Sequence, residues 1–365
     1  MKCLIYSFAF LFSFTAVLSW SQEPPSPANN NNHSANLPAL QPAPAGRPET
    51  IDELTRAAEG GDVLAQNNLG FAFAFGKGVG RNYAEAARWF SAAASREFAP
   101  AQFNLGALYE NGLGVPQDYA KAFALIQASA LKGYALAQTR VGYFYEKGRA
   151  VRADQAEAAH WYRTAAVNGE PVAQCKLGNF YRVGRGVPHD DAEAAKWYRL
   201  SAEQGDVIAQ NNLGAFYHHG IGLKQDYEQA VYWYRKAAEQ GLAEADNNLG
   251  VMYEDGVGVA KDYRQAAAFY KEAATHGVIR GQFNLATMYY SGRGVPLDYV
   301  TAYLWYSRAA AAGDEHAARI LAQLSSVMTP RQKEIAQGRL AEGQAASIAD
   351  EPAHAPFDPA RTVLK

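Results

Sequence analysis

Residues able to do covalent or metal chemistry are few and scattered in this 365-residue chain. There are two cysteines, Cys3 and Cys175, and eight histidines, of which only His218 and His219 adjoin. No His-Glu-x-x-His or Cys-x-x-Cys spacing brings ligands together, so local sequence builds no metal site. No Gly-x-Ser-x-Gly elbow occurs, and Cys175 has no evident histidine to take its proton. Gly76-Lys77-Gly78-Val79-Gly80 has the glycines of a phosphate loop. The Gly-Lys-Ser/Thr that would hold the phosphates is missing, and the same turn recurs along the chain. No enzyme and no cofactor are expected. With 34 Lys plus Arg against 36 Asp plus Glu and a net charge of −2, nucleic acid is not an expected partner either.

The elements explain the recurring turn. Leu69-Gly70, Leu105-Gly106, Val141-Gly142, Leu177-Gly178, Leu213-Gly214 and Leu249-Gly250 lie 36 residues apart, and Leu285-Ala286 and Leu321-Ala322 continue the series. Such a period means stacked repeats that bury their apolar faces against one another. Seven full repeats are expected over residues 65–316, preceded by a half-repeat at 51–64 and closed by a helical cap, a solenoid of 49–341. In the first helix of a repeat, Ala, Leu and Tyr stand four apart, as in Ala101, Leu105 and Tyr109, which predicts one buried stripe. A Gly-x-Gly-Val turn follows. Asp118, Asp154, Asp190, Asp226, Asp262 and Asp298 then stand where a second helix needs its N-cap. Phe71-Ala72-Phe73-Ala74-Phe75 alternates like a strand, but its register predicts helix. Thr329, Pro330 and Gln332 predict a capping box at the last helix.

Residues Ala209–Gly241 carry A-Q-x-N-L-G-x-x-Y, then a glycine turn, D-Y-x-x-A-x-x-W-Y and a closing A-A-x-x-G. The pattern resembles the Sel-one-like repeat (SLR) family, relatives of the tetratricopeptide repeat, over roughly residues 51–341. Departures are Glu97 for a closing glycine, Ala150 for a turn glycine and Ala286 for the Leu-Gly glycine. The resemblance implies an all-α fold, a right-handed α/α solenoid, whose first helices line a concave groove. Some exported members are cysteine-rich and linked to β-lactam binding or hydrolysis. This chain lacks their paired cysteines.

By the 100° helical step, the face opposite the stripe holds positions −2, −1, +2, +5 and +6 relative to the repeat leucine. Position −1 is Asn68, Asn104, Asn212, Asn248 and Asn284, either bonded to neighbouring backbone or a ladder of amides for an extended peptide. In the third and fourth repeats it becomes Arg140 and Lys176, with Asn179 and Arg182 on the same face. The cluster resembles a carboxylate-gripping groove for an acidic segment, although Glu110 and Glu146 could neutralise it. Phe71, Phe75 and Phe103 form either an exposed apolar patch or a surface covered by the half-repeat or the linker. Cys175 beside Lys176 is either an activated thiolate or a buried small residue.

Outside the repeats, Lys2, the apolar Cys3–Trp20 stretch and Ser19-Trp20-Ser21 predict a signal peptide of residues 1–21, with an uncleaved anchor as the alternative. Residues 22–48 hold seven of the sixteen prolines and predict a disordered linker; residues 342–365 predict a flexible tail. After cleavage no membrane span remains and Cys175 stands alone, so packing must stabilise the chain. The expected function is an exported (periplasmic or secreted) adaptor that binds a protein or peptide, among them a partner with an acidic segment. The alternatives are a binder or hydrolase of cell-wall-type small molecules, or a regulatory subunit that positions a separate enzyme.

Overall fold

The computed structural model describes Leu40 and residues 50–341. The signal segment, the 342–365 tail and nearly all of the linker lie outside the described residues. Among them the chain is helical, with no strand. The order begins with α1 (Ile51–Glu59), α2 (Val63–Phe75), α3 (Tyr83–Ala94), α4 (Ala99–Asn111), α5 (Tyr119–Leu131) and α6 (Ala135–Lys147). It continues through α7 (Gln155–Val167), α8 (Pro171–Val183), α9 (Asp191–Glu203), α10 (Val207–His219), α11 (Tyr227–Glu239) and α12 (Ala243–Asp255). The last five are α13 (Tyr263–Thr275), α14 (Ile279–Ser291), α15 (Tyr299–Ala311), α16 (Glu315–Val327) and α17 (Pro330–Ala341). Each helix packs on its neighbours in sequence, the even-numbered helix first and the odd-numbered helix second within a repeat, which makes the fold an all-α repeat solenoid.

The pairs start two residues earlier than the Leu-Gly frame suggests. Asp62 caps α2, its carboxylate accepting from the backbone N–H of Leu64 and Ala65, both at 2.9 Å. Val63 and Leu64 therefore belong to α2, and the preceding half-repeat is α1 alone.

Capping and close approach set the pair geometry. All six predicted aspartates are N-caps; Asp154, for example, accepts from Ala156 and Glu157. The Thr329–Gln332 capping box forms, Thr329 N–H donating to Gln332 Oε1 at 2.9 Å. The glycine after the repeat leucine lets the second helix press in, since a Cβ on Gly178 would lie 2.8 Å from Tyr198 Cδ1. Tyr162, Tyr198, Tyr234, Tyr270 and Tyr306 fill the space so made and are essentially fully buried. The first-helix tyrosines at +4, such as Tyr109 and Tyr217, are only half-buried, because the second-helix rings take the centre. Register overrides alternation at Phe71–Phe75, which closes α2 as helix.

Candidate functional site

Asparagine amides tie the first helices of adjacent repeats together. Asn104 Nδ2 donates to Asn67 Oδ1 at 3.0 Å, Asn248 to Asn211 at 2.9 Å and Asn284 to Asn247 at 2.9 Å. Three of the five amides at position −1 thus serve the fold by bonding a side chain one repeat back, and Asn104 is fully buried. Their acceptors at position −2 were visible in sequence as the doublets Asn67-Asn68, Asn211-Asn212 and Asn247-Asn248. Asn68 and Asn212 are half-buried.

The third and fourth repeats hold a different arrangement. Arg140 Nε donates to Glu110 Oε2 at 2.8 Å and its Nη2 to Oε1, a bidentate pair on a carboxylate that is 2% exposed. Arg149 approaches the same carboxylate at 3.8 Å. One repeat on, the buried Glu146 accepts from the Tyr162 hydroxyl at 2.6 Å and meets Lys147, Lys176 and Arg185 at 3.5, 3.6 and 3.9 Å. Arg140 and Lys176, placed on the groove by sequence, are therefore each paired with a glutamate of the preceding repeat. Arg149 and Arg185, in the turns, were missed; their signal was a basic residue between the paired turn positions. Leaving Lys147 aside, four cations lie within 4 Å of these two carboxylates, two more than the carboxylates balance. The Arg140 and Arg149 guanidinium groups also lie 4.6 and 5.4 Å from the Tyr143 ring centroid.

Asn179 and Arg182 are half-buried beside this cluster. Asn179 accepts from the Tyr198 hydroxyl at 2.8 Å and donates to the Cys175 carbonyl at 3.2 Å, while Arg182 bonds the Tyr198 phenol. Both are engaged by the fold. The thiolate reading of Cys175 is corrected: the side chain is 6% exposed, and burial, reinforced by the Asp206 carboxylate, raises its pKa against the weaker pull of Lys176. His218 and His219 stack at 4.4 Å, and burial followed by the charge of His219 brings His218 down to about 4.

Of the three phenylalanines, two meet. Phe71 and Phe75 lie 4.5 Å apart, Phe75 being 39% exposed, and Lys77 Nζ sits 4.9 Å over the Phe71 ring. Phe103 is not part of an exposed patch. It is 4% exposed and packs edge-on against Tyr134 at 5.5 Å, because position −2 turns toward the following repeat, as the acceptor asparagines do. No helix among the described residues is long and apolar enough to cross a membrane.

The Sel1 repeat family model matches seven successive segments, 63–98, 99–134, 135–169, 171–206, 207–242, 243–278 and 279–314. Among solved structures, the chain is similar to c5321, a protective antigen present in uropathogenic Escherichia coli strains displaying an SLR fold. The likeness is 34% identity and a TM-score of 0.70 over 82% of this chain, which spans 64% of the length of c5321. A Sel1 repeat protein from Oxalobacter formigenes is 35% identical with a TM-score of 0.59, covering 75% of this chain and 79% of its own. No match was found among curated proteins. Seven consecutive repeats, each a helix pair closed on its neighbour, place this chain in the Sel1 repeat family.

Proposed function

We propose that the chain is an exported interaction scaffold that holds an acidic protein or peptide segment against the inward face of the third and fourth repeats. Sel1 repeat proteins generally mediate protein–protein interaction and generally act as non-catalytic scaffolds. Export is supported by Lys2, the apolar Cys3–Trp20 stretch and the small residues before Gln22. The observation that carries the binding reading is the charge imbalance. Glu110 and Glu146 hold Arg140, Arg149, Lys176 and Arg185 within 4 Å, four cations on two carboxylates. Arg149 and Arg185, 44% and 48% exposed, offer guanidinium edges to an incoming carboxylate.

The test is capture of partners by the full chain, with an Arg149→Glu/Arg185→Glu variant in parallel. These two are better probes than Arg140, whose bidentate hydrogen bonds satisfy the buried Glu110 carboxylate. A partner carrying an acidic segment should be held by the wild type, released by rising salt and lost by the variant. Equal retention by both would refute the site.

A further inference from the structure

The amino-terminal end of the inward face is built differently from the rest. At position +5, where later repeats carry Glu110, Glu146, Arg182, His218, Glu254 and Tyr290, the first repeat has Ala74. At position +2 the second repeat has Ala107. Neither extends beyond a methyl group, and Asn104, which could have spanned the junction, turns to Asn67 instead. Ala74 and Ala107 are buried members of one apolar cluster, against which Phe71 packs. Leu40, ten residues before the capping Thr50 of α1, is buried in the cluster that contains them, at 4% exposure. Ala74 and Ala107 are its members at positions +5 and +2, Phe71 packs against it, and Phe90 with its α3 neighbours belongs to the same cluster. Leu40 belongs to the stretch Asn36-Leu37-Pro38-Ala39-Leu40-Gln41-Pro42, and the repeat pattern has no place for it.

We propose that the apolar surface around Ala74 and Ala107, between the first and second repeats, is a seat for one leucine of a proline-flanked segment. In the full chain Leu40 fills that seat intramolecularly. A tethered leucine is present at a high effective concentration, so a partner segment of the same Leu-Pro chemistry enters only by displacing it. The assignment of the seat to partner binding rests on the groove reading above. It uses none of the basic residues of the third and fourth repeats.

The probe is a labelled peptide of residues 34–46, titrated by anisotropy into the full wild-type chain and into full-chain Leu40→Asp and Leu40→Met variants. The peptide should bind the Leu40→Asp chain roughly tenfold or more tightly than the wild type, since the tethered leucine no longer competes for an apolar site. The Leu40→Met chain should behave like the wild type, and a peptide with the same Leu40→Asp change should not bind. No binding to the Leu40→Asp chain, or equal binding to it and the wild type, would overturn the proposal. A wild-type dimer that becomes monomeric in the Leu40→Asp variant would also overturn it, by placing the leucine of a second copy in the seat. If Leu40→Asp disrupts the helical fold, isotope-labelled leucine methyl signals of the wild-type chain decide instead. The Leu40 signal must move toward its free position as peptide is added; no movement refutes displacement. Capture through Arg149 and Arg185 is read separately, so either proposal can fail alone.

Discussion

At the scale of single residues, the candidate site is a set of cations held by buried acids. Glu110 is 2% exposed and depends on Arg140 for two hydrogen bonds, with Arg149 at the edge. Arg140→Ala should therefore lower stability by about 2–3 kcal/mol, less than breaking a fully buried pair because Arg140 is partly exposed, whereas Arg149→Ala should change it by less than about 0.5 kcal/mol. Urea denaturation of the two variants measures the contrast. A second residue-scale prediction concerns Asp246, which stands where the other repeats have Gln66, Gln102, Gln138, Gln174, Gln210 and Gln282. Gln210 and Gln282 donate to the carbonyls of Ala202 and Ala274 at 3.2 and 3.3 Å. Burial first, and then the Glu272 carboxylate, push the Asp246 carboxyl up from 3.8 to about 6. The folded chain holds this proton more tightly than the unfolded one. The stability it contributes is thus complete below about pH 4 and lost as pH rises through about 6. Asp246→Gln should stabilise the chain by roughly 1–2 kcal/mol at pH 7 and flatten this pH dependence, as urea midpoints at pH 4 and 7 will show. Sequence placed Arg140, Lys176 and their possible glutamate partners on one face through the helical step. It could not say that the pairs close, because whether an arginine reaches a carboxylate thirty residues earlier depends on the stacking of repeats.

At the scale of elements, turns and caps were legible because each depends on one residue type at one position. The aspartate caps and the glycine turns follow from hydrogen-bond satisfaction and from φ alone. Even the exceptions keep the conformation: Glu97 and Ala150, which replace glycines, have φ of 60° and 59°. Ala150→Gly should therefore raise stability by about 1 kcal/mol, the relief of a left-handed backbone on an L-residue. The reverse change at Gly186 should be far worse. Its φ is 66°, and a Cβ there would fall 2.0 Å from the Gln155 carbonyl oxygen. Gly186→Ala should cost roughly 3 kcal/mol or more, combining backbone strain with displacement of the turn from α7. Thermal unfolding of the two variants should move in opposite directions. The burial of Phe103 was not legible, because positions −2 and −1 differ by one helical step yet only the first faces the next repeat. The half-burial of the +4 tyrosines was hidden for a similar reason, since the second-helix tyrosines compete for the same centre.

At the scale of the whole molecule, packing runs only between neighbours, so the fold resembles a row of coupled units more than a single core. Period and composition made that architecture readable, while the partner remained outside their reach because a solenoid surface serves many tasks. The central claim is that the inward face of the third and fourth repeats, and not the outer face of the second helices, meets the partner. It is tested most directly by placing a photo-crosslinking amino acid at Tyr143, inside the basic cluster, and separately at Tyr232, which is 49% exposed on α11. The account predicts a partner adduct from position 143, weakened by Arg149→Glu/Arg185→Glu, and none from position 232. An adduct from position 232 with none from 143 would contradict it.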